Sequence, residues 1–172
     1  MKTNILLAVD VAAGGTTRHV DAATEMTTEM IRDCADHVIV LHVREFSILR
    51  LPQTMTDGGG ATGRKVVEQV VSRLRSSGVH ASGLVREADI GHVAQTILHA
   101  AREFDVRLVV LGSSGRTAIR RLPVNSVAAH VLHAATVPVL IVPAAVAPST
   151  AGSPIRRAEP VRRLAQAAGL QR

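Results

Sequence analysis

The sequence predicts an α/β fold, an open five-stranded parallel sheet with helices on both faces. Four short runs are apolar nearly throughout instead of alternating, the pattern of strands covered on both sides. The segments between them switch to helical periodicity. Strand-like and helix-like segments alternate along the chain, the order that builds a parallel sheet through crossover helices. A chain of 172 residues with 47% apolar content is long enough to bury such a core.

The first run, Ile5-Leu-Leu-Ala-Val9, ends at Asp10. Val20, Ala23, Met30, Ile31 and Cys34 then share a helical face, interrupted by Thr27, with Thr16 or Thr17 placed to cap it. His37 to Val43 is the second strand. Residues 44–63, including Gly58-Gly59-Gly60, are too long for a tight connection and have the length of functional or mobile loops. Val66, Val67, Val70, Val71 and Leu74 form the second helical face, closed at Gly78 by a left-handed cap. So many β-branched residues disfavour an isolated helix, so tertiary burial must hold it. Ser82 to Ala88 is a more polar strand, suited to an edge. Val93, Ala94, Ile97, Leu98 and Ala101 give the third helix, and Arg107 to Leu111 the next strand. Val127, Val131, Leu132 and Ala135 give the fourth helix, and Val137 to Val142 the last strand. Residues 1–143 are thus expected to form one α/β domain. Residues 144–172, rich in Ala, Pro, Ser and Arg, are expected to be a mobile tail with at most a short helix around Val161 to Ala168.

Composition narrows the function. With two Phe, no Trp and no Tyr, the chain cannot build rows of stacking aromatics for single-stranded nucleic acid. Any base it holds must lie between aliphatic groups. The net charge is +6, but the tail contributes +4 of it through five Arg against Glu159, leaving a nearly neutral domain. Nucleic-acid binding is therefore not expected. No apolar run reaches the roughly 18 residues of a membrane span. One cysteine, Cys34, excludes an internal disulfide framework and a Cys-clustered zinc site, which suits a reducing compartment. The first residues carry no signal-peptide pattern, and a cytoplasmic location is expected.

Open α/β sheets bind ligands at the carboxyl ends of their strands, where strand order reverses. Asp10 follows the first strand, and Gly112-Ser113-Ser114-Gly115-Arg116-Thr117 follows the fourth. Glycines let backbone amides approach an anion, and Arg116, Arg120 and Arg121 can balance its charge. At Asn125-Ser126-Val127 a helix begins, where free amides again favour phosphate. By themselves these features fit turns equally well: G-x-x-G can simply leave a strand, and Asp10 can be a turn residue or helix cap.

Other motifs fail. Gly58-x4-Gly63 is followed by Arg64-Lys65, so it is not a P-loop. Arg116 stands where a nucleophile elbow built on Gly112 and Ser114 requires glycine. His130 and His133 share a helix face without a carboxylate nearby in sequence, so no metal site is expected, and Cys34 reads as a packed residue.

The spacing Gly112-x2-Gly115-x9-Asn125-Ser126, followed by an apolar helix and Val137-Pro-Val-Leu-Ile-Val-Pro143, resembles the universal stress protein family. Nucleotide-binding members of that family carry G-x2-G-x9-G-(S/T) there. Ile5 to Asp10 and Val40-Leu41-His42-Val43 resemble its first two strands, and the similarity spans about residues 3–143. The fold expected is thus a sheet ordered 3-2-1-4-5. The resemblance implies an adenine nucleotide, ATP or ADP/AMP, between the first and fourth strands. Asp10 would accept hydrogen bonds from ribose or adenine, and Val43 would give backbone contact and an apolar wall. Gly112 and Gly115 would hold the phosphate loop, with Ser126 and the Val127 amide at the β- and γ-phosphates. Ser114 is neutral, so charge balance falls to Arg116 or Arg120. The family's third glycine is Asn125 here, which tolerates a left-handed backbone but fills space that phosphate needs.

The resemblance also implies a homodimer through Val137 to Val142. The function expected is an adenine-nucleotide-binding stress or signalling module, with no catalytic residue and at most slow hydrolysis assisted by Mg²⁺ held on phosphates. The alternative is a nucleotide-independent interaction protein whose phosphate loop is disabled by Asn125 and whose tail recruits a protein partner. An adenylyl-transfer enzyme on a related sheet is disfavoured, because no S-G-G-x-D-S loop follows the first strand.

Overall fold

The computed structural model describes residues 3–10, 18–31, 36–46, 58–113 and 126–144. Along the chain these are β1 (Asn4–Val9), α1 (Arg18–Ile31), β2 (His37–Phe46), α2 (Gly58–Ser76), β3 (His80–Asp89), α3 (Val93–Glu103), β4 (Val106–Ser113), α4 (Val127–Ala134) and β5 (Val139–Pro143). The strands form one parallel sheet in the order β3-β2-β1-β4-β5, with β3 at one edge as its polarity predicts.

Side chains alternate across each strand, so the continuous apolar runs feed two cores. Ile5, Leu7 and Val9 of β1 and Val38 and Val40 of β2 pack with α1 and α2. Leu6, Ile39, Leu41 and Val109 pack with α3 and α4 on the other face. The valines of α2 are all buried and Leu74 is fully so, the burial that compensates their poor helix propensity. Gly78 ends the helix at φ +83 and donates its N–H to the Arg75 carbonyl at 3.0 Å.

Four expectations are corrected. First, β2 runs to Phe46 and α2 starts at Gly58, so the connection expected over 44–63 is shorter, because β2 stays in register with β3 as far as Phe46 opposite Asp89. Second, α1 buries Val20, Ala23 and Ile31 of the expected face but not Met30, and threonines take up the rest of the buried surface. Met30 is 42% exposed, while Thr24, Thr27 and Thr28 are buried. Each threonine hydroxyl donates to the carbonyl four residues earlier, at 2.7, 2.7 and 2.8 Å, which removes the cost of burying it. Third, α4 buries Val131 but leaves Val127 40% and Leu132 52% exposed. Helix periodicity marks an apolar face without saying what covers it. Fourth, β5 begins at Val139, two residues later than expected; Pro138 has no N–H for the ladder, and only its carbonyl takes part, accepting from Val109 at 3.0 Å. The expected caps Thr16 and Thr17, Cys34 and the tail lie outside the described residues.

The amino end of the sheet is tied by polar contacts. Asp36, just before β2, accepts from the Thr3 amide at 3.2 Å and the Thr3 hydroxyl at 2.6 Å, and its other oxygen takes a guanidinium N–H of Arg107 on β4. The Thr3 hydroxyl foremost, with the Thr3 amide and the Arg107 charge, holds this carboxyl below the usual carboxylate range although burial pushes it up. Nearby, the Asn4 side-chain amide donates to the Phe104 carbonyl at 2.6 Å.

Candidate functional site

At the carboxyl end of the sheet a cavity of about 350 Å³ opens between the strand ends and the face carrying α3 and α4. β1 lies between β2 and β4, so the chain leaves it in one direction and later returns on its other side. Side chains cannot fill the fork between those diverging connections, which is why crevices form there. Ala8, Leu41, Val43 and Leu111 line the cavity from the strands, with Val93 and Ile97 from α3 and Ala128 from α4. These aliphatic walls fit a flat apolar body, and the volume lies within the roughly 300–1,000 Å³ of small-molecule pockets.

Of the residues the sequence singles out, Asp10, Val43, Gly112 and Val127 line this one cavity. Asp10 is exposed immediately after β1. Ser126 is the N-cap of α4, with φ −78 and ψ 146, and its hydroxyl oxygen accepts from the Ala129 amide at 3.1 Å. That cap leaves the Val127 and Ala128 amides without intrahelical acceptors at the edge of the cavity. Ser114, Gly115, Arg116 and Asn125 lie outside the described residues, as does Arg120.

Gly112 has a second reason to be glycine. A Cβ there would lie 2.5 Å from the His19 carbonyl oxygen and 2.9 Å from its carbon, so the first turn of α1 rests on bare main chain. Packing of α1 requires this residue whatever the cavity holds.

Sequence reasoning missed Arg44 and Glu45, which line the mouth because β2 continues past Val43. The Arg44 guanidinium pairs with Glu87 on β3, and Glu45 accepts from the Gly91 amide at 2.9 Å, pinning the turn into α3. Their signal was the length of the third strand, whose partner register carries β2 outward. Val93 and Ile97 were read only as core, and four-residue spacing on a helix cannot separate core from cavity wall. Among the described residues no three His, Cys, Asp or Glu side chains gather to hold a metal, and no helix is long and apolar enough to cross a membrane.

Comparison with curated protein sequences gives no significant match. Among solved structures, a protein of the universal stress protein family from Burkholderia pseudomallei is 25% identical, with 83% of this chain and 96% of that chain covered and a TM-score of 0.63. The universal stress protein of Archaeoglobus fulgidus in complex with dAMP is 22% identical over 81% of this chain and 97% of that one, with a TM-score of 0.60. A universal stress protein family protein from Arabidopsis thaliana with AMP bound is 20% identical over 82% and 91%, with a TM-score of 0.63. The sequence profile of the universal stress protein family matches residues 1–143. With that match over most of its length and the 3-2-1-4-5 sheet beneath it, the chain belongs to the universal stress protein family.

Proposed function

We propose that this protein is an adenine-nucleotide-binding module for stress or signalling, acting through occupancy of its crevice as a homodimer, with ATP hydrolysis at most slow. The observation that carries this reading is that one cavity gathers Asp10, Val43, Gly112 and Val127 from four elements. The base lies against Val43 and its aliphatic neighbours. Asp10 accepts hydrogen bonds from ribose or the adenine amine. Phosphates run past Gly112 and Gly115 toward Ser126 and the Val127 amide, where the α4 dipole favours negative charge. By the spacing they share with the family, Ser114, Arg116 and Asn125 are assigned to the same phosphates. Mg²⁺, when present, is held mainly by phosphate oxygens. The dAMP and AMP bound by the two relatives support an adenine ligand here.

The homodimer reading rests on β5. Val139, Leu140 and Ile141 are only half-buried at the sheet edge, and Leu132 stands exposed on α4. A second copy would cover this apolar edge.

Lack of Trp and Tyr leaves the protein nearly transparent at 280 nm, so bound nucleotide is easily seen. The test is to denature salt-washed protein and identify released small molecules by chromatography, then to titrate AMP and ATP with Mg²⁺ by calorimetry. Stoichiometric release or saturable binding is expected. If there is neither, and Asn125→Gly creates binding, the phosphate site is disabled and the interaction-protein reading replaces this one.

A further inference from the structure

His42 belongs to the same stretch of β2 that lines the cavity, with Leu41 and Val43, yet its side chain points to the opposite face of the sheet. Alternation along β2 places it with Val38 and Val40 on the face covered by α1 and α2, where it is 5% exposed. Its Nδ1 lies 3.1 Å from the carbonyl oxygen of Val9, its register partner on β1. A carbonyl only accepts, so Nδ1 carries the proton and donates. The far side of the ring meets α2 at Gly63, where a Cβ would fall 2.2 Å from Cδ2 and 2.4 Å from Nε2. The helix therefore comes closer than any residue with a side chain allows, and the ring is held between α2 and the end of β1.

The Val9 carbonyl belongs to the peptide unit whose nitrogen is that of Asp10. That unit is planar, so a hydrogen bond that fixes the carbonyl also fixes the direction in which Asp10 leaves the strand. We propose that His42 is a positioning residue for the crevice: its Nδ1–H bond to Val9 and its seat on Gly63 hold Asp10 and Val43 in place from the opposite face of the sheet. This rests on the nucleotide reading for its ligand and deepens it. It also makes the first turns of α2 part of the support of the site.

The experiment compares His42→Asn, whose side-chain amide can take the place of Nδ1–H, with His42→Leu, which fills the space without a donor. AMP affinity is measured by calorimetry on the full chain, and nucleotide-free thermal midpoints separate lost positioning from lost folding. His42→Leu is expected to weaken AMP by about tenfold or more, and His42→Asn to stay within about threefold of the parent. Equal affinities in the two variants overturn the proposal. Gly63→Ala, which displaces the ring, is expected to weaken AMP as well, and adding His42→Asn to it to restore most of the affinity by vacating space. It carries the same comparison should the leucine variant not fold, and failure of the second change to restore affinity overturns the role of Gly63. If the parent protein binds no AMP, the nucleotide reading fails while the positioning role is still decided by NMR without ligand. The Val9 carbonyl carbon and Asp10 amide shifts should move in His42→Leu and return in His42→Asn; unmoved shifts overturn it.

Discussion

At the amino end of the sheet, Asp36 is buried with each carboxylate oxygen bonded, to Thr3 and to Arg107; at the carboxyl end, Asp10 stands exposed at the mouth of a cavity. The two carboxylates lie at opposite ends of the same central strands and differ in burial. Asp36 joins the starts of β1, β2 and β4, so its chemistry is used up in holding strands together. Asp10 is exposed and lines the cavity, the position the proposed nucleotide reading uses. A parallel sheet makes this division natural, because all its strands begin at one end and release their connections at the other.

Breaking the closed end should have the largest effect. Asp36→Ala removes charged hydrogen bonds and is expected to cost on the order of 2–3 kcal/mol in urea unfolding while leaving AMP affinity unchanged. The same tie gives an acid signature. The folded-state pKa of Asp36 is lowered, so its contribution is fully present above the unfolded value near ~3.9 and is lost as pH falls through the folded value. The stability gap between the parent and Asp36→Asn should be constant above about pH 5 and shrink below it; a gap that widens in acid would contradict the assignment.

Gly112→Ala blurs the division, since its Cβ would press on the His19 main chain beside the cavity. A stability loss of about 1–3 kcal/mol is expected together with weaker nucleotide binding, read by thermal unfolding and calorimetry on one sample. Asp10→Ala should sharpen it: about tenfold weaker AMP binding, with stability within about 0.5 kcal/mol of the parent. Smallest is the exposed pair at the cavity mouth. Arg44→Ala should cost less than about 1 kcal/mol of stability, and its effect should fade in high salt.

The core was more legible than the site. Val66, Val70 and Leu74, like Val93 and Ile97, announce helices by spacing, and Ile5 to Val9 announces a strand covered on both faces by lacking any polar position. Asp10, Gly112 and Val127 were found through position, at strand ends and a helix start, and Val43 through the resemblance to the family. Arg44, Glu45 and His42 were not, because nothing local distinguishes a charged residue that extends a strand from one that leaves it, or a buried histidine from a dispersed one. Thr27, read as an interruption of the apolar face, misled for a related reason: a threonine that satisfies itself on its own helix, as Thr24, Thr27 and Thr28 all do, can be as buried as valine, and the sequence shows only its hydroxyl.

From the sequence alone followed the order of strands and helices, the cap at Gly78 and the end of the sheet where a ligand belongs, all consequences of local periodicity, backbone freedom and parallel topology. Tertiary structure decided which apolar faces were covered, how far β2 ran, and why Gly63 and Gly112 carry no side chain. Those outcomes depend on surfaces brought together from distant parts of the chain: α2 against the ring of His42, α1 against the end of β4, and Arg107 against Asp36, 71 residues away. Spacing records what one element can offer; contact between elements determines what is taken up.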